Sequence, residues 1–363
     1  VITVVSAVMI SLQRKMGIGD RLLLQDAFNL NDLSGLRQFV QKVFKGTLLI
    51  EALGALLYMI VFVPEFGVKG IWISIFTAVS AFCNAGIDII GQNSLCDYAT
   101  DPVINGVTCA LIILGGIGYV VWWDMIRVMK LPRKRRLQSL TLHSKIALSM
   151  SAVLILSGAV CFLMFEYSNP DTLGGHSLVE KAQMALFQSV TTRTAGFMTI
   201  PQEKLTNTSS LISLLLMFIG GSPVGTAGGI KTVTFAVIAA SALAAIRNKE
   251  DVDLFQRRLT KEAVSKALAV TCMSFLIFFL SALLLTLVTE ASLLDVLYET
   301  GSATATVGLS RNLTGTLGSW GKAILIVTMY FGRIGPVSLA IALNRKDTDH
   351  KYIRNPVEDI SVG

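Results

Sequence analysis

The chain repeats one short pattern three times, and this repeat constrains its fold more than any other feature. Each copy is a short apolar stretch with small residues that ends in a glycine-containing step, and the steps are 110 and 112 residues apart (194 − 84 and 306 − 194). The three steps are Cys83-Asn84-Ala85-Gly86-Ile87, Arg193-Thr194-Ala195-Gly196-Phe197 and Ala305-Thr306-Val307-Gly308-Leu309. Longer apolar stretches flank each copy. Such a period indicates an architecture built from equivalent units.

The composition indicates that this chain lies in a lipid bilayer. Of its 363 residues, 53% are hydrophobic and only 15% are charged, and the mean hydropathy is +0.64. A soluble protein of this length would need more charge to cover its surface. The net charge of +7 does not indicate nucleic-acid binding, because Lys and Arg gather between the apolar stretches rather than along one amphipathic face. We therefore predict membrane lipid as a partner and no nucleic acid.

Two classes of apolar stretch follow one another along the chain. The long ones suit a helix that crosses the hydrocarbon core, which takes ~20 residues. They lie at about 46–64, 103–123, 146–165, 209–246, 266–289 and 321–343. The short ones are typical of re-entrant helices, which enter the membrane and return to the same side. They lie at about 71–83, 180–192 and 293–304.

The basic residues give the topology. They cluster within 14–45, 127–145, 247–261 and 345–354. The positive-inside rule places these clusters and the C-terminus in the cytoplasm of a multi-pass plasma-membrane protein. Clusters on one side need an even number of crossings between them, yet each interval holds three apolar stretches. The short middle stretch must therefore be re-entrant, so that each unit consists of a helix, a pore helix, a turn and a helix.

The turn after each pore helix is the candidate cation-binding filter. Glycine reaches positive φ without a Cβ penalty, so the turn can expose successive carbonyls that replace the hydration shell of an ion. The carbonyl end of a pore helix that points into the membrane also favours a cation. A single small-small-glycine step is more often a helix-packing feature, but three copies after non-spanning stretches favour a pore. The predicted filter residues are Asn84, Ala85, Gly86, Thr194, Ala195, Gly196, Thr306, Val307 and Gly308.

A glycine-rich interruption at 220–232 divides the longest apolar stretch. Five glycines and a proline cannot maintain a helix, so the backbone must open at membrane depth, which is tolerable only beside protein or water. Because the helix after a filter turn should line the cavity beneath it, we interpret this loop as a gate. A passive kink is the alternative. A nucleotide loop is excluded, because Ile230 takes the place of its second glycine and no strand precedes it. The predicted loop residues of the gate are Gly220, Gly221, Ser222, Pro223, Gly225, Thr226, Ala227, Gly228, Gly229 and Lys231.

Arg333 is a lone charge in the apolar 321–343 stretch and completes the predicted gate. A charge there costs several kcal/mol unless it is solvated or paired. We therefore expect it to donate hydrogen bonds to carbonyls of the 220–232 loop and to form an electrostatic barrier to cations. The alternative is that Arg333 only anchors two helices. Arg193 would repel a cation in the ion path, so it is predicted to point behind the filter.

Three segments resemble the Trk/Ktr/HKT superfamily of potassium transporters, and most of all its bacterial KtrB-type membrane subunits. They are Thr191-Thr192-Arg193-Thr194-Ala195-Gly196-Phe197, Gly225-Thr226-Ala227-Gly228-Gly229-Ile230-Lys231-Thr232 and Gly332-Arg333-Ile334-Gly335-Pro336. The resemblance covers essentially the whole chain. It implies four pore units related by pseudo-fourfold symmetry, an intramembrane gating loop and potassium as the preferred ion. It further implies a homodimer and a cytosolic ring of nucleotide-binding regulatory subunits that docks to the basic inner face.

The expected architecture is an all-α membrane protein with three complete units and the end of a first unit. The divisions are 1–12 (end of the inner helix of a first unit), 13–45 (cytoplasmic linker), 46–126 (pore unit 2), 127–145 (cytoplasmic linker), 146–246 (pore unit 3, with the gating loop 220–232), 247–265 (cytoplasmic linker), 266–343 (pore unit 4) and 344–363 (cytoplasmic tail).

The predicted function is a channel-like transporter that takes up potassium, or also sodium, through the filter and the gate. No enzyme, cofactor or metal site other than the potassium sites at the filter carbonyls is predicted, because no nucleophile–base arrangement, paired carboxylates or metal-ligand spacing occurs in the sequence. One alternative is a sodium-coupled secondary transporter, whose helix breaks should fall in corresponding spanning helices, whereas here only 209–246 is predicted to be broken. The other is a non-transporting membrane scaffold subunit.

Overall fold

The computed structural model describes residues 36–91, 93–249 and 251–334 and is mostly helical. Its helices are α1 Leu36–Phe66, α2 Val68–Phe82, α3 Pro102–Gly116, α4 Tyr119–Met129, α5 Arg133–Ser139, α6 Leu142–Glu166, α7 Leu178–Thr191, α8 Asn207–Phe218, α9 Thr232–Ile246, α10 Lys261–Thr286, α11 Leu293–Ala305, α12 Leu313–Thr316 and α13 Ser319–Ile334. Short 3₁₀ turns occupy Cys96–Tyr98 and Gln202–Lys204.

Three described helices are long and apolar enough to cross a membrane. They are Gln41–Phe66 within α1, Leu142–Glu166 and Lys261–Thr286, with mean hydropathies of 2.1, 2.4 and 2.5. The bent pair α3 and α4 passes the same criterion when taken as one span. Large apolar side chains on the outer faces of these helices are exposed, as lipid-facing residues would be; examples are Leu56 (60%), Leu156 (63%) and Leu276 (57%).

A short helix packs against each long helix and ends at one of the repeated steps. Helices α2, α7 and α11 have 15, 14 and 13 residues, and they pack against α1, α6 and α10. Two of them begin at a serine cap: Ser177 forms a capping box with Glu180, and Ser292 accepts from the Asp295 amide. A long helix, a short helix, a turn and a further helix thus follow one another three times.

Two membrane helices are interrupted, so the prediction that only 209–246 is broken is wrong. The apolar 103–123 stretch was expected to form one crossing, yet α3 ends at Gly116 and α4 begins at Tyr119, with their axes at 97°. The second interruption separates α8 from α9. Both breaks fall in the helix that follows a repeated turn. Hydropathy alone could not find the first one, because a bend of two residues barely lowers the average over the stretch.

The architecture is also not purely helical. The predicted linker 247–265 holds a two-stranded antiparallel hairpin, β1 Asp253–Leu254 and β2 Arg257–Arg258, with Asp253 opposite Arg258. Four regions of the sequence predictions lie outside the described residues: the end of a first unit at 1–12, most of the linker 13–45, the end of the 321–343 stretch, and the tail 344–363.

An aromatic core holds the first repeat together beside its turn. Tyr58, Phe62 and Phe82 are fully buried, and the Phe62 ring meets Tyr98 edge-on at 5.4 Å between centroids. Tyr58 also shares a hydrogen bond of 2.6 Å with Thr108 of α3. These contacts fix α1, α2 and α3 relative to one another, and so they fix the position of the turn that α2 ends in.

Candidate functional site: three turns and a loop beneath them

The repeated steps form three turns with one backbone conformation, here called turn 1 (84–86), turn 2 (194–196) and turn 3 (306–308). The first residue of each has positive φ although none is glycine: 50° for Asn84, 67° for Thr194 and 54° for Thr306. The glycines that end the turns also have positive φ, at 64°, 90° and 98°, while the residues between them do not. Non-glycine residues rarely adopt this region, so three equivalent instances mark a strained feature that each repeat preserves.

The three turns meet at close range. A Cβ on Gly86 would overlap the Ala195 carbonyl oxygen and lie 2.6 Å from the Gly196 Cα. A Cβ on Gly196 would overlap the Val307 carbonyl oxygen and lie 3.2 Å from the Gly86 Cα. For Gly308 the nearest atom is the Gly196 Cα, at 3.9 Å. At turns 1 and 2, glycine is therefore required both because a neighbouring turn's backbone leaves no room for a Cβ and because φ is positive. At turn 3 there is more space.

Hydroxyl groups of the short helices hold the turns in place. Ser80 Oγ accepts from the Ile87 amide at 3.0 Å, and Ser302 Oγ accepts from the Gly308 amide at 3.1 Å. Thr191 Oγ1 instead donates to the Phe197 carbonyl at 2.6 Å. The sequence predictions did not include these residues. A Ser or Thr three or four positions before each turn was the available signal.

The glycine-rich loop forms the second part of the site. All the loop residues predicted for the gate lie between α8 and α9, and hydrogen bonds join the two ends of the loop. The Gly220 amide donates to the Ile230 carbonyl at 2.9 Å, the Ile230 amide to Phe218 at 3.1 Å, and the Thr232 amide to Gly221 at 3.0 Å. The loop is thus closed at its root by a short parallel bridge.

The tip of the loop lies against turns 2 and 3. The Gly228 amide donates to Thr194 Oγ1 at 3.0 Å. A Cβ on Gly228 would lie 2.5 Å from the Ala305 carbonyl oxygen and would overlap Thr306 Oγ1. The predicted filter and the predicted gate are therefore in direct contact, although 34 residues separate Thr194 from Gly228.

The other side of the loop rests on the bend between α3 and α4. The Ser222 amide donates to the Gly116 carbonyl at 2.8 Å and the Thr226 amide donates to Gly115 at 3.1 Å. In return, the Tyr119 amide donates to the Val224 carbonyl at 3.1 Å. Because the bend frees backbone groups of a broken helix, the loop can satisfy them. The sequence predictions missed this part of the site; Gly115-Gly116-Ile117-Gly118 was the signal.

Three positively charged side chains donate hydrogen bonds to carbonyls of the loop. Arg333 Nη1 donates to the Thr226 carbonyl at 3.2 Å, and Lys231 Nζ donates to the Ala227 carbonyl at 2.6 Å. The buried Arg193 donates through Nη2 to Ser151 Oγ at 3.3 Å and to the Gly220 carbonyl at 3.4 Å. Among the described residues, no carboxylate lies within 4.0 Å of any of the three. Backbone carbonyls and a hydroxyl take the place of acidic partners.

An ion pair beyond turn 3 connects the third repeat to the second. Arg311 Nε donates to Asp295 Oδ1 at 2.7 Å, and its Nη1 donates to the Gln202 carbonyl at 3.1 Å. Burial alone would raise the pKa of Asp295, but hydrogen bonds from Ser292 and Arg311 and the positive charge of Arg311 lower it. The carboxylate therefore stays charged and holds Arg311 against the loop that follows turn 2.

A family model described as "TrkH: Cation transport protein" matches residues 1–352. The chain belongs to the TrkH family of cation transport proteins. The match covers all three turns, the loop and Arg333. The family resemblance expected from the sequence is thereby confirmed.

Curated relatives agree with this assignment of the TrkH-family chain. It is 37% identical over 353 residues to the Ktr system potassium uptake protein B of Bacillus subtilis, covering 97% of this chain and 77% of the relative. It is 36% identical over 361 residues to the potassium/sodium uptake protein NtpJ of Enterococcus hirae, with the same coverage of both chains.

A solved structure shares the fold of this TrkH-family chain. The potassium transporter TrkH from Vibrio parahaemolyticus superimposes with a TM-score of 0.73 at 16% identity, covering 89% of this chain and 68% of that one. At this identity the likeness concerns the arrangement of the helices.

Glu51 is a further residue that the sequence predictions left out. It lies in the membrane-spanning part of α1, and Cys83 Sγ is 3.9 Å from its carboxylate, next to the first residue of turn 1. An acid inside an apolar helix was the signal, since such residues are costly in a bilayer.

Proposed function

We propose that this chain is the ion-conducting subunit of a potassium uptake system and that potassium passes through a filter lined by carbonyls of turns 1 to 3. The observation that carries this proposal is the close approach of three turns with one backbone conformation. In each turn φ is positive at the first and last residue but not at the residue between them, and such alternation would let successive carbonyls face one side, as replacement of an ion's hydration shell requires. The two relatives are named as a potassium uptake protein and a potassium/sodium uptake protein, which supports the choice of ion.

We further propose that the units follow pseudo-fourfold symmetry, with residues 1–12 ending the inner helix of a first unit. The divisions 46–126, 146–246 and 266–343 would be pore units 2, 3 and 4. The recurrence of a long helix, a short helix and a turn supports this division. The axis would pass between the glycines of the turns.

The loop between α8 and α9 would act as the gate. Its contacts with Thr194 and with the bend at Gly116 support a position across the ion path. There the Gly228 amide donates a hydrogen bond to the side-chain hydroxyl of Thr194 in turn 2. Arg333 would add the electrostatic barrier, and its hydrogen bond to Thr226 supports a link between barrier and loop. Opening would require the loop to leave turns 2 and 3.

Assembly and membrane orientation are part of the same proposal. The basic segments between the spans would face the cytoplasm, and a homodimer would dock there on a ring of nucleotide-binding regulatory subunits. The Bacillus subtilis relative is named as protein B of a Ktr system, which supports a multi-component assembly.

A sodium-coupled secondary transporter is the second candidate. The two helix breaks at corresponding places favour it, because such transporters carry discontinuous helices in equivalent repeats. Strict dependence of potassium uptake on sodium, with saturation and without single-file flux, would select this candidate over a channel-like pore. A non-transporting scaffold would give no uptake at all.

The test uses the full-length protein in a bacterial strain that lacks its own potassium uptake. Gly196→Ser adds a side chain where φ is 90° and a Cβ overlaps the Val307 carbonyl oxygen, a strain of ~1–3 kcal/mol. We expect it to lower rubidium or potassium uptake at least about tenfold. Gly175→Ser is the matched control, since nothing lies within 4 Å of its Cβ. Equal uptake by both variants at equal membrane levels would remove the filter assignment.

A further inference from the structure

A small cavity lies between turn 1, the segment Val190–Arg193 that leads into turn 2, and the root of the loop. Its polar lining consists of the side chains of Asn84, Ser151 and Arg193, and its walls include Gly116, Ile117 and Gly221. It has room for about one water molecule. The cavity therefore borders turn 1, the end of α7, the helix bend and the loop.

Three buried polar atoms lack a partner at this place. They are the amide oxygen and nitrogen of Asn84 and Nε of Arg193, which have no hydrogen-bond partner in the part of the chain that the structure describes. Asn84 is 5% exposed and Arg193 8%. Unpartnered buried polar groups are uncommon because each one costs free energy, and a cavity among several of them calls for an occupant.

The chemistry of the lining selects the occupant. A cation would meet the guanidinium of Arg193. An anion would find two donors, but it would also face the Asn84 amide oxygen and the Gly220 carbonyl that Arg193 contacts. Water accepts from one group and donates to another, and a buried water typically makes about three hydrogen bonds. It can satisfy the Asn84 amide whichever way that amide is rotated.

We propose that this cavity holds an ordered water molecule that bridges Arg193 Nε and the Asn84 amide. The water completes a brace from turn 1 through Arg193 to the Gly220 carbonyl at the root of the loop. The brace stabilises the charged guanidinium without a carboxylate and fixes turn 1 relative to turn 2. This inference goes beyond the proposed function, because it holds whichever ion passes and whichever way the loop moves.

The direct test is a structure of the full-length protein at a resolution that shows ordered water, from samples in which bromide replaces chloride. We expect a single density peak within hydrogen-bonding distance of Arg193 Nε and the Asn84 amide, without an anomalous bromide signal. A bromide signal would assign the site to an anion and overturn the proposal. A dry cavity beside other ordered buried waters would overturn it as well.

A double-mutant cycle tests the bridge in solution. Asn84 and Arg193 share no direct hydrogen bond but line one cavity, so a bridging water requires that the effects of Asn84→Leu and Arg193→Met on the melting temperature do not add. With the bridging water, each single variant loses the same interaction, and the double variant loses less than the sum. Additive losses contradict the bridge. Should either variant fail to fold, a structure of the Ser151→Ala variant replaces the cycle. Because the bridge does not involve Ser151, the water peak between Arg193 and Asn84 should remain, and its loss would contradict the bridge.

Discussion

Two helices of this chain are broken at corresponding places, and the two breaks are built differently. The break after turn 1 takes only Ile117 and Gly118 and turns the helix axis by 97°. The break after turn 2 takes residues 219–231 and places a loop against turns 2 and 3. The short break offers the Gly115 and Gly116 carbonyls to the loop of the long one. In the proposed gate, the bend would be the support and the loop the moving part.

The largest expected effect comes from shortening the loop. Deletion of residues 224–227 removes the acceptor of Arg333 and the amide that donates to Gly115, while the bonds between Gly220 and Ile230 remain. We expect potassium flux through reconstituted proteoliposomes to rise about tenfold or more, since two or more hydrogen bonds that hold the loop are lost. If the loop is not the moving part, the flux of the intact, folded variant will equal that of the parent chain.

A substitution at the bend between α3 and α4 should lower the stability of the protein. Gly115→Ala places a Cβ that overlaps the Phe82 carbonyl oxygen and lies 2.8 Å from Thr226 Oγ1, which forces α3 away from α2 at a cost of ~1–3 kcal/mol. A lower melting temperature in detergent is the expected result. Gly106→Ala, on the same helix with open space around it, should leave stability unchanged or raise it by up to ~1 kcal/mol. Similar losses from both would show that close packing at the bend is not needed.

Arg333 tests whether a charge links the loop to the third repeat. Arg333→Ala removes its hydrogen bond to Thr226, for which we expect about 1–2 kcal/mol and roughly a 5- to 30-fold higher flux in liposomes. Arg333→Lys should fall in between, because it keeps the charge without the fork of donors. Lys322→Ala, on the same helix, is the matched control. Parent-like flux in the Ala variant would leave Arg333 as a helix anchor only.

The smallest effect is expected at the contact between the loop and α2. Thr226 Oγ1 donates to the Phe82 carbonyl at 3.0 Å, a hydrogen bond worth ~0.5–1.5 kcal/mol. Thr226→Val keeps the shape of the side chain and should raise flux about twofold to tenfold. Thr286→Val removes an exposed hydroxyl that bonds only its own helix, and flux should not change. An equal change of flux in the two variants would contradict the view that the hydrogen bond between Thr226 and Phe82 holds the loop in place.

The predictability of the two breaks from sequence follows from their composition. Five glycines and a proline interrupt the helix so strongly that a loop could be predicted at 220–232, and the structure has the interruption at 219–231. At the bend, the three glycines at 115, 116 and 118 lie in an apolar run, where small residues are equally typical of close helix packing. The φ of Gly118 is 93°, and the Pro223 carbonyl of the loop packs against it. Because Pro223 is 105 residues away in sequence, the local sequence does not reveal this contact.

The turns show a similar limit. Their residues were predictable because a repeat fixes equivalent positions, and the glycines of turns 1 and 2 do sit where no side chain fits. The positive φ of Asn84, Thr194 and Thr306 could not be predicted, since a residue's own preference opposes it and only the surrounding contacts enforce it. The partner of Arg333 was predicted as a loop carbonyl, and Thr226 is that carbonyl.

The parallel bridge between Ile219 and Ile230 has a mechanical consequence. It carries the backbone hydrogen bonding of α8 directly across to α9, bypassing the intervening residues. A displacement of α8 is therefore transmitted to α9 through this bridge and not through the loop tip. If the loop moves as proposed, these hydrogen bonds would keep its two ends joined, and the gate would open at little cost to the stability of α8 and α9.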